Sequence, residues 1–292
     1  MLRRGSYLAA VLSLCAALVA PLLPAAGQEP QVAAEPSSRV LLLGNSYTRF
    51  NVLPLMLRRV AEAAGVSLPT ESVARGGYTL RRHWRVHETR ARVRSGRYSH
   101  VVLQGHSLRP IDRRAEFEDY TARFAQAVRE AGGEPILYET WPRHPGAPLY
   151  REHAELRTPP QMASRVGEAY RALAVRHGAR VAPVGRAFLT ALTTRPELEI
   201  YKPDGAHPTW AGSYLAACVL FGAITGQDPR ESDYTPWELP PASARAAREL
   251  AALVLEAERR APPPPRPAAR EGAGNPPVCV DPAAPEAPPA VF

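Results

Sequence analysis

The feature that most restricts this chain is an alternation of short, apolar, β-branched runs with longer amphipathic stretches. Such an order is the signature of βαβ units, and it predicts an α/β fold on a mostly parallel sheet. The runs at 39–43, 70–74, 100–104, 135–140 and 180–183 read as strands. The stretches at 52–64, 79–94, 117–131, 159–177, 210–224 and 242–260 read as helices, several of them stopped by glycine, as at Gly65 and Gly132. No internal repeat is visible.

The two ends do not share this pattern. Residues 1–27 place Arg3 and Arg4 before an apolar stretch and close on Ala25, Ala26 and Gly27, the layout of a secretory signal cleaved near Gln28. Pro21 and Pro24 interrupt the stretch before it reaches the ~20 residues of a membrane span. Export is expected, with no stable membrane span once the signal is removed. Leu14 stands before Cys15 where a lipoprotein site wants a small residue, so lipidation is not expected. Residues 28–38 read as a linker and 39–260 as one domain. Residues 261–292 are a proline-crowded tail with little apolar surface to bury, expected to be extended or disordered.

The chain of 292 residues carries a formal charge of +8, but all but one of its 36 basic residues are arginine, the exception being Lys202. That bias is read as codon usage rather than a phosphate-binding face, so no nucleic-acid partner is expected. Removal of the signal leaves Cys218, inside an apolar helical pattern, and Cys279 in the tail. A buried Cys218 with a free tail thiol is favoured over a disulfide between them.

Three segments fall at carboxyl ends of the predicted parallel strands, where open α/β sheets place their sites: Gly44-Asn45-Ser46, Gly76-Gly77 and Gln104-Gly105-His106-Ser107. A fourth, Asp204-Gly205-Ala206-His207-Pro208, precedes the last apolar helix but one. Ser46 follows an apolar strand at a turn into a helix, a good position for a nucleophile. A serine needs a base and a group to hold that base, and Asp204 and His207, three residues apart around a glycine, can supply both. Glycine at 76 or 77 lets backbone N–H groups approach a developing oxyanion, and Gln104 can offer a side-chain N–H.

In this order the four segments resemble the four blocks of the SGNH hydrolases, the GDSL-like lipase and esterase superfamily, over roughly residues 39–226. The strongest parts are VLLLGNSYT and DGAHPTWAGSYLAA. The resemblance implies a three-layer αβα sandwich with about five strands, Ser46 as nucleophile, Asp204 and His207 as acid and base, and Ser46, Gly77 and a third-block side chain as oxyanion donors. It implies ester hydrolysis without metal or organic cofactor, on a small-molecule or glycan ester. The chain departs from the family in reading Gly-Asn-Ser for Gly-Asp-Ser, and in lacking the Gly-x-Asn-Asp of the third block. Some carbohydrate acetylesterase relatives carry Gln-Gly-Glu there, so Gln104 is the expected donor, with His106 and Ser107 as second choices.

Other readings are weaker. Gly105-His106-Ser107 begins like a nucleophile elbow, but Arg109 replaces the needed glycine and Pro110 would disturb the following helix. His83 and His87 have helical metal-ligand spacing, yet they lack the zinc-protease glutamate and sit among arginines, which reads as a solvated basic face. Trp141, Tyr150 and Trp210 could rim the substrate or simply pack, and the proline-bearing stretch 142–160 could form a flap over it. A degenerate family member that binds a glycan or lipid without turnover is the alternative function. The substrate's acyl and alcohol parts and the oligomeric state are not legible.

Overall fold

The structure, a computed structural model, describes residues 38–260 apart from position 154. The expected signal, the tail with Cys279 and nearly all of the expected linker lie outside the described residues. In chain order the first elements are β1 (Val40–Gly44), α1 (Ser46–Arg49), α2 (Leu53–Ala63), β2 (Thr70–Ala74), α3 (Leu80–Arg85), α4 (His87–Val93) and β3 (His100–Gln104). Next come α5 (Arg109–Asp112), α6 (Arg114–Glu130), β4 (Glu134–Tyr138), α7 (Leu149–Glu152), α8 (Pro159–His177) and β5 (Arg180–Ala182). The last are α9 (Val184–Thr194), α10 (Trp210–Thr225) and α11 (Pro241–Arg260).

The strands form one sheet in the order β2-β1-β3-β4-β5, and every pairing is parallel. Successive residues of a strand point to opposite faces, and here both faces are covered. Val40, Leu42, Val102, Ile136 and Tyr138 join a core made with α2, α9, α10 and α11. Leu41, Leu43, Val101, Leu103 and Leu137 join a second core made with α3, α4, α6 and α8. That is why β1, β3 and β4 read as apolar runs, and it gives the three layers that the family resemblance implies. Helix α10 is apolar on all sides because every residue from Ala211 to Ile224 is buried, packed against α2, α9 and α11. Its Cys218 is a free, buried thiol.

Two helical readings need correction. The arginine-rich stretch expected as one helix is two, α3 and α4, parted by extended backbone at Val86 (φ −82°, ψ 116°). Leu80 and His83 of α3 and Thr89 and Val93 of α4 are the buried residues. On an unbroken helix the six residues from His83 to Thr89 would turn the second pair about 120° away from the first, so the break lets both pairs face the same layer. Helix α9 was not expected, although Val184, Ala187, Phe188 and Ala191 carry a helical stripe. It has no side-chain N-cap to mark its start.

Candidate active site

Strands β1 and β3 are neighbours, but the chain passes from β1 outward to β2 before it returns to β3 on the other side. This reversal opens a crevice beyond their carboxyl ends, and Gly44-Asn45-Ser46 and Gln104-Gly105-His106-Ser107 both lie there.

The turn that carries Ser46 is built on buried groups. Asn45 caps α1, its Oδ1 accepting the Tyr47 N–H at 3.1 Å, while its Nδ2 donates to the Tyr78 carbonyl at 3.1 Å. A Cβ at Gly44 would collide with the Thr48 hydroxyl and the Gln104 carboxamide, so a side chain has no room there. Gln104 corrects the sequence reading. It is fully buried; its Oε1 accepts the Asn45 N–H at 2.9 Å and the Thr48 hydroxyl at 3.0 Å, and its Nε2 donates to the Gly105 carbonyl. The side chain supports the Ser46 turn from below and does not line the cleft. His83 is a second correction, being buried rather than solvated, with Nε2 donating to the Gly44 carbonyl at 2.7 Å. Burial pushes its pKa down, with the bond to the Gly44 carbonyl opposing part of the shift.

Ser46 Oγ lies 2.9 Å from His207 Nε2, and His207 Nδ1 lies 2.7 Å from Asp204 Oδ2. The other Asp204 oxygen accepts the backbone N–H groups of Ala206 and His207, each at 2.8 Å. Burial works to raise the Asp204 pKa, but these N–H groups and the imidazole outweigh it, so the carboxyl is held below its ordinary value. Gly205 makes the turn possible, since its φ of +64° is left-handed.

The loop bearing His207 is fastened from several directions. Lys202 N–H donates to the His207 carbonyl at 2.8 Å, and Thr209 N–H to the Ile200 carbonyl at 3.1 Å. Asn51 Nδ2 reaches the carbonyls of Pro208 at 3.2 Å and Thr209 at 2.8 Å, and the Ser213 hydroxyl at 2.9 Å. Asn51 and Val52 both have positive φ, 52° and 48°, an uncommon conformation for these residues. Trp141 Nε1 donates to the Ala206 carbonyl at 3.0 Å. This corrects the rim assignment for Trp141, which is fully buried between the rings of Tyr47 and Phe188, with centroids 4.2 and 4.1 Å away. Trp210 is half-buried, packs against the core and does not line the cleft, and Tyr150 is buried with its hydroxyl donating to the Arg143 carbonyl at 2.8 Å.

A cleft of about 250 Å³ is lined by Asn45, Ser46, Tyr47, Gly77, His106, Ser107, Arg143, Ala206 and His207. Gly77 has a φ of +67° and open space where a Cβ would stand, so its backbone conformation, not crowding, calls for glycine. Ser46 N–H opens α1, and neither it nor Gly77 N–H has a backbone partner among the described residues. His106 is half-buried, and burial first, then Arg109, Arg143 and Arg82, lower its pKa. Ser107 does not meet a histidine; its hydroxyl accepts from Arg143 Nη2 at 3.0 Å, which leaves the elbow reading without a base. A larger groove of about 480 Å³ between α5 and α8 contains no histidine and none of these residues. Sequence reasoning missed Arg143, Tyr47 and Asn51. Only Arg143 had a signal, its place in the stretch read as a flap.

No family model and no curated protein sequence matches the chain. Among solved structures, a candidate SGNH hydrolase from Slackia heliotrinireducens is 31% identical and superposes with a TM-score of 0.56, over 64% of this chain and 98% of that one. A DUF4886 family protein from Bacteroides uniformis gives a TM-score of 0.64 at 20% identity, over 77% of this chain and 97% of that one. A lipase/acylhydrolase from Enterococcus faecalis gives 0.50 at 16% identity, over 65% and 96%. The latter two share the fold. Since the likeness to the Slackia protein takes in nearly all of that protein, the chain belongs to the SGNH hydrolase superfamily.

Proposed function

We propose that the protein is an exported serine ester hydrolase that works through a covalent acyl-enzyme. One observation carries this reading: the unbroken hydrogen-bond line from Ser46 Oγ through His207 to Asp204, opening on the cleft. In the neutral imidazole, Nδ1–H donates to Asp204 and Nε2 is free to accept the Ser46 proton as Oγ attacks the ester carbonyl. The carbonyl oxygen becomes an oxyanion, received by the N–H groups of Ser46 and Gly77. His106, kept neutral by burial and by its arginine neighbours, is the third-block side chain on hand as a further donor. His207 then passes its proton to the leaving alkoxide, and the acyl group remains on Ser46. Water attacks the acyl carbonyl, His207 takes its proton, and Ser46 departs with a proton restored.

Gln104 acts in this reading as a positioning residue, fixing the N–H of Asn45 one residue ahead of the nucleophile. The cleft volume suits a small acyl group on a small alcohol or sugar. Export is supported by Arg3, Arg4 and the apolar run before Ala25-Ala26-Gly27, and no helix among the described residues is long and apolar enough to cross a membrane. A fluorophosphonate should label the wild type and leave Ser46→Ala unlabelled, with ester hydrolysis lost in parallel. Labelling that persists in Ser46→Ala would reject the assignment. N-terminal sequencing of the mature protein should begin near Gln28.

A further inference from the structure

We propose that the substrate carries a carboxylate next to its ester, and that Arg143 recognises it. The inference rests on the reading of Ser46 as nucleophile and adds a substrate class to it.

Arg143 shares the cleft wall with Ser46 and His207. Its guanidinium meets two neutral hydroxyls, Ser107 at 3.0 Å through Nη2 and Tyr47 through Nη1, and sits 5.8 Å from the Tyr47 ring centroid. It forms no ion pair with a carboxylate among the described residues, whereas arginines such as Arg39, Arg81, Arg114, Arg180 and Arg230 do. A half-buried cation without a counter-charge is unfavourable unless something supplies one. Arg82 and Arg109 add positive potential to the same wall at His106, opposed by Asp112.

The backbone that carries this side chain is also held in place in advance. Tyr150 donates to its carbonyl at 2.8 Å and Tyr201 to the Pro142 carbonyl at 2.7 Å, while His144 N–H reaches Gly205 at 2.9 Å. Two of the five guanidinium N–H groups serve the hydroxyls, which leaves donors for a planar anion. Among the described residues Arg143 is the one cation that lines the cleft of about 250 Å³, which matches a singly charged group such as a carboxylate better than a doubly charged phosphate monoester.

The test compares kcat/KM on pairs of similar shape, one member anionic and the other neutral. For an acyl-side charge, 4-nitrophenyl hemisuccinate is set against 4-nitrophenyl 4-methylpentanoate; for an alcohol-side charge, an O-acetylated uronic acid is set against its methyl ester. In one of the two pairs the wild type should prefer the anion, and Arg143→Met should lower the anion-to-neutral ratio by about 10–100-fold, as expected for loss of a charged hydrogen bond. Arg143→Lys, which keeps the charge and loses the fork, should fall between, and raised salt should erode the wild-type ratio. Absence of preference in both pairs, or equal losses on anion and neutral ester in Arg143→Met, would overturn the proposal. Ser46→Ala separates the two levels: if it still hydrolyses both esters, the nucleophile assignment fails; if it is inactive while the ratios ignore Arg143, only the carboxylate assignment fails.

Discussion

The two halves of the proposed catalytic line are held by different means. The Ser46 turn grows directly from a buried strand, and its supports, Gln104, Thr48 and His83, are themselves buried. The base sits on a loop whose acid is half-exposed, and it is located by remote contacts from Asn51, Trp141 and His144. Damage to the first half should therefore appear as lost stability together with lost turnover. Damage to the second should appear as lost turnover in a protein that still folds.

The largest effect is expected at the base. Asp204→Asn removes the carboxylate that accepts the His207 ring N–H and two backbone N–H groups; kcat should fall about 10⁴-fold through the wrong tautomer, with melting little changed. A variant that melts early instead would erase the contrast. Because the Asp204 carboxyl is held below its ordinary pKa, it stays ionised on mild acidification, so loss of this carboxylate should not be what limits activity there. A pH–rate limb that vanishes in Asp204→Asn would contradict this.

On the nucleophile side, Gln104→Ala leaves the Asn45 N–H and Thr48 hydroxyl without their acceptor. Stability should drop by about 2–4 kcal/mol and kcat by about 10–100-fold as the turn loosens, measurable by denaturant titration alongside kinetics. Unchanged stability with a large kcat loss would return Gln104 to the oxyanion. Asn51→Gly sharpens the other side: it removes the pin on Pro208 and Thr209 but suits the positive φ. Turnover should fall about 10-fold at steady KM, with stability near wild type; a fall in melting temperature without a kcat change would make Asn51 a fold residue.

The smallest effect on activity is expected at Glu139, next after β4 and outside both halves. Burial pushes its carboxyl from 4.5 up to about 7, with Arg171, 3.8 Å away, offsetting part of the shift. The folded chain thus keeps a proton that the unfolded chain releases. The contribution of Glu139 to stability is fully present below about 4.5 and is lost as pH rises through about 7. Glu139→Gln should flatten this decline, gaining on the wild type by about 1–3 kcal/mol between pH 4 and 8, with kinetics unaltered. Parallel stability curves for the two proteins would exclude an ionising Glu139.

Much of this molecule is local in origin and so was legible from the chain. Strand β3 and helix α8 fall on the residues expected, because a run of apolar residues or a Thr158 cap with Pro159 after it decides them within a few positions, and the less apolar β2 also falls where expected. Ser46, Asp204 and His207 were singled out by the order of the four segments and its resemblance to the SGNH hydrolases, and the structure brings the three side chains together. What the chain could not show is direction and long-range company. A glutamine at a strand end reads the same whether it faces the cleft or the turn, and its direction followed from the Asn45 N–H that it meets only in the folded sheet. Trp141 became core and Arg143 became cleft although they are two residues apart, because Phe188 and Tyr47 clasp the first while Ser107 draws out the second. Asn51 meets its partners 157 residues and more along the chain. Local pattern carries burial and turn preference; only packing brings such distant groups together and decides which polar atoms remain free to meet a substrate.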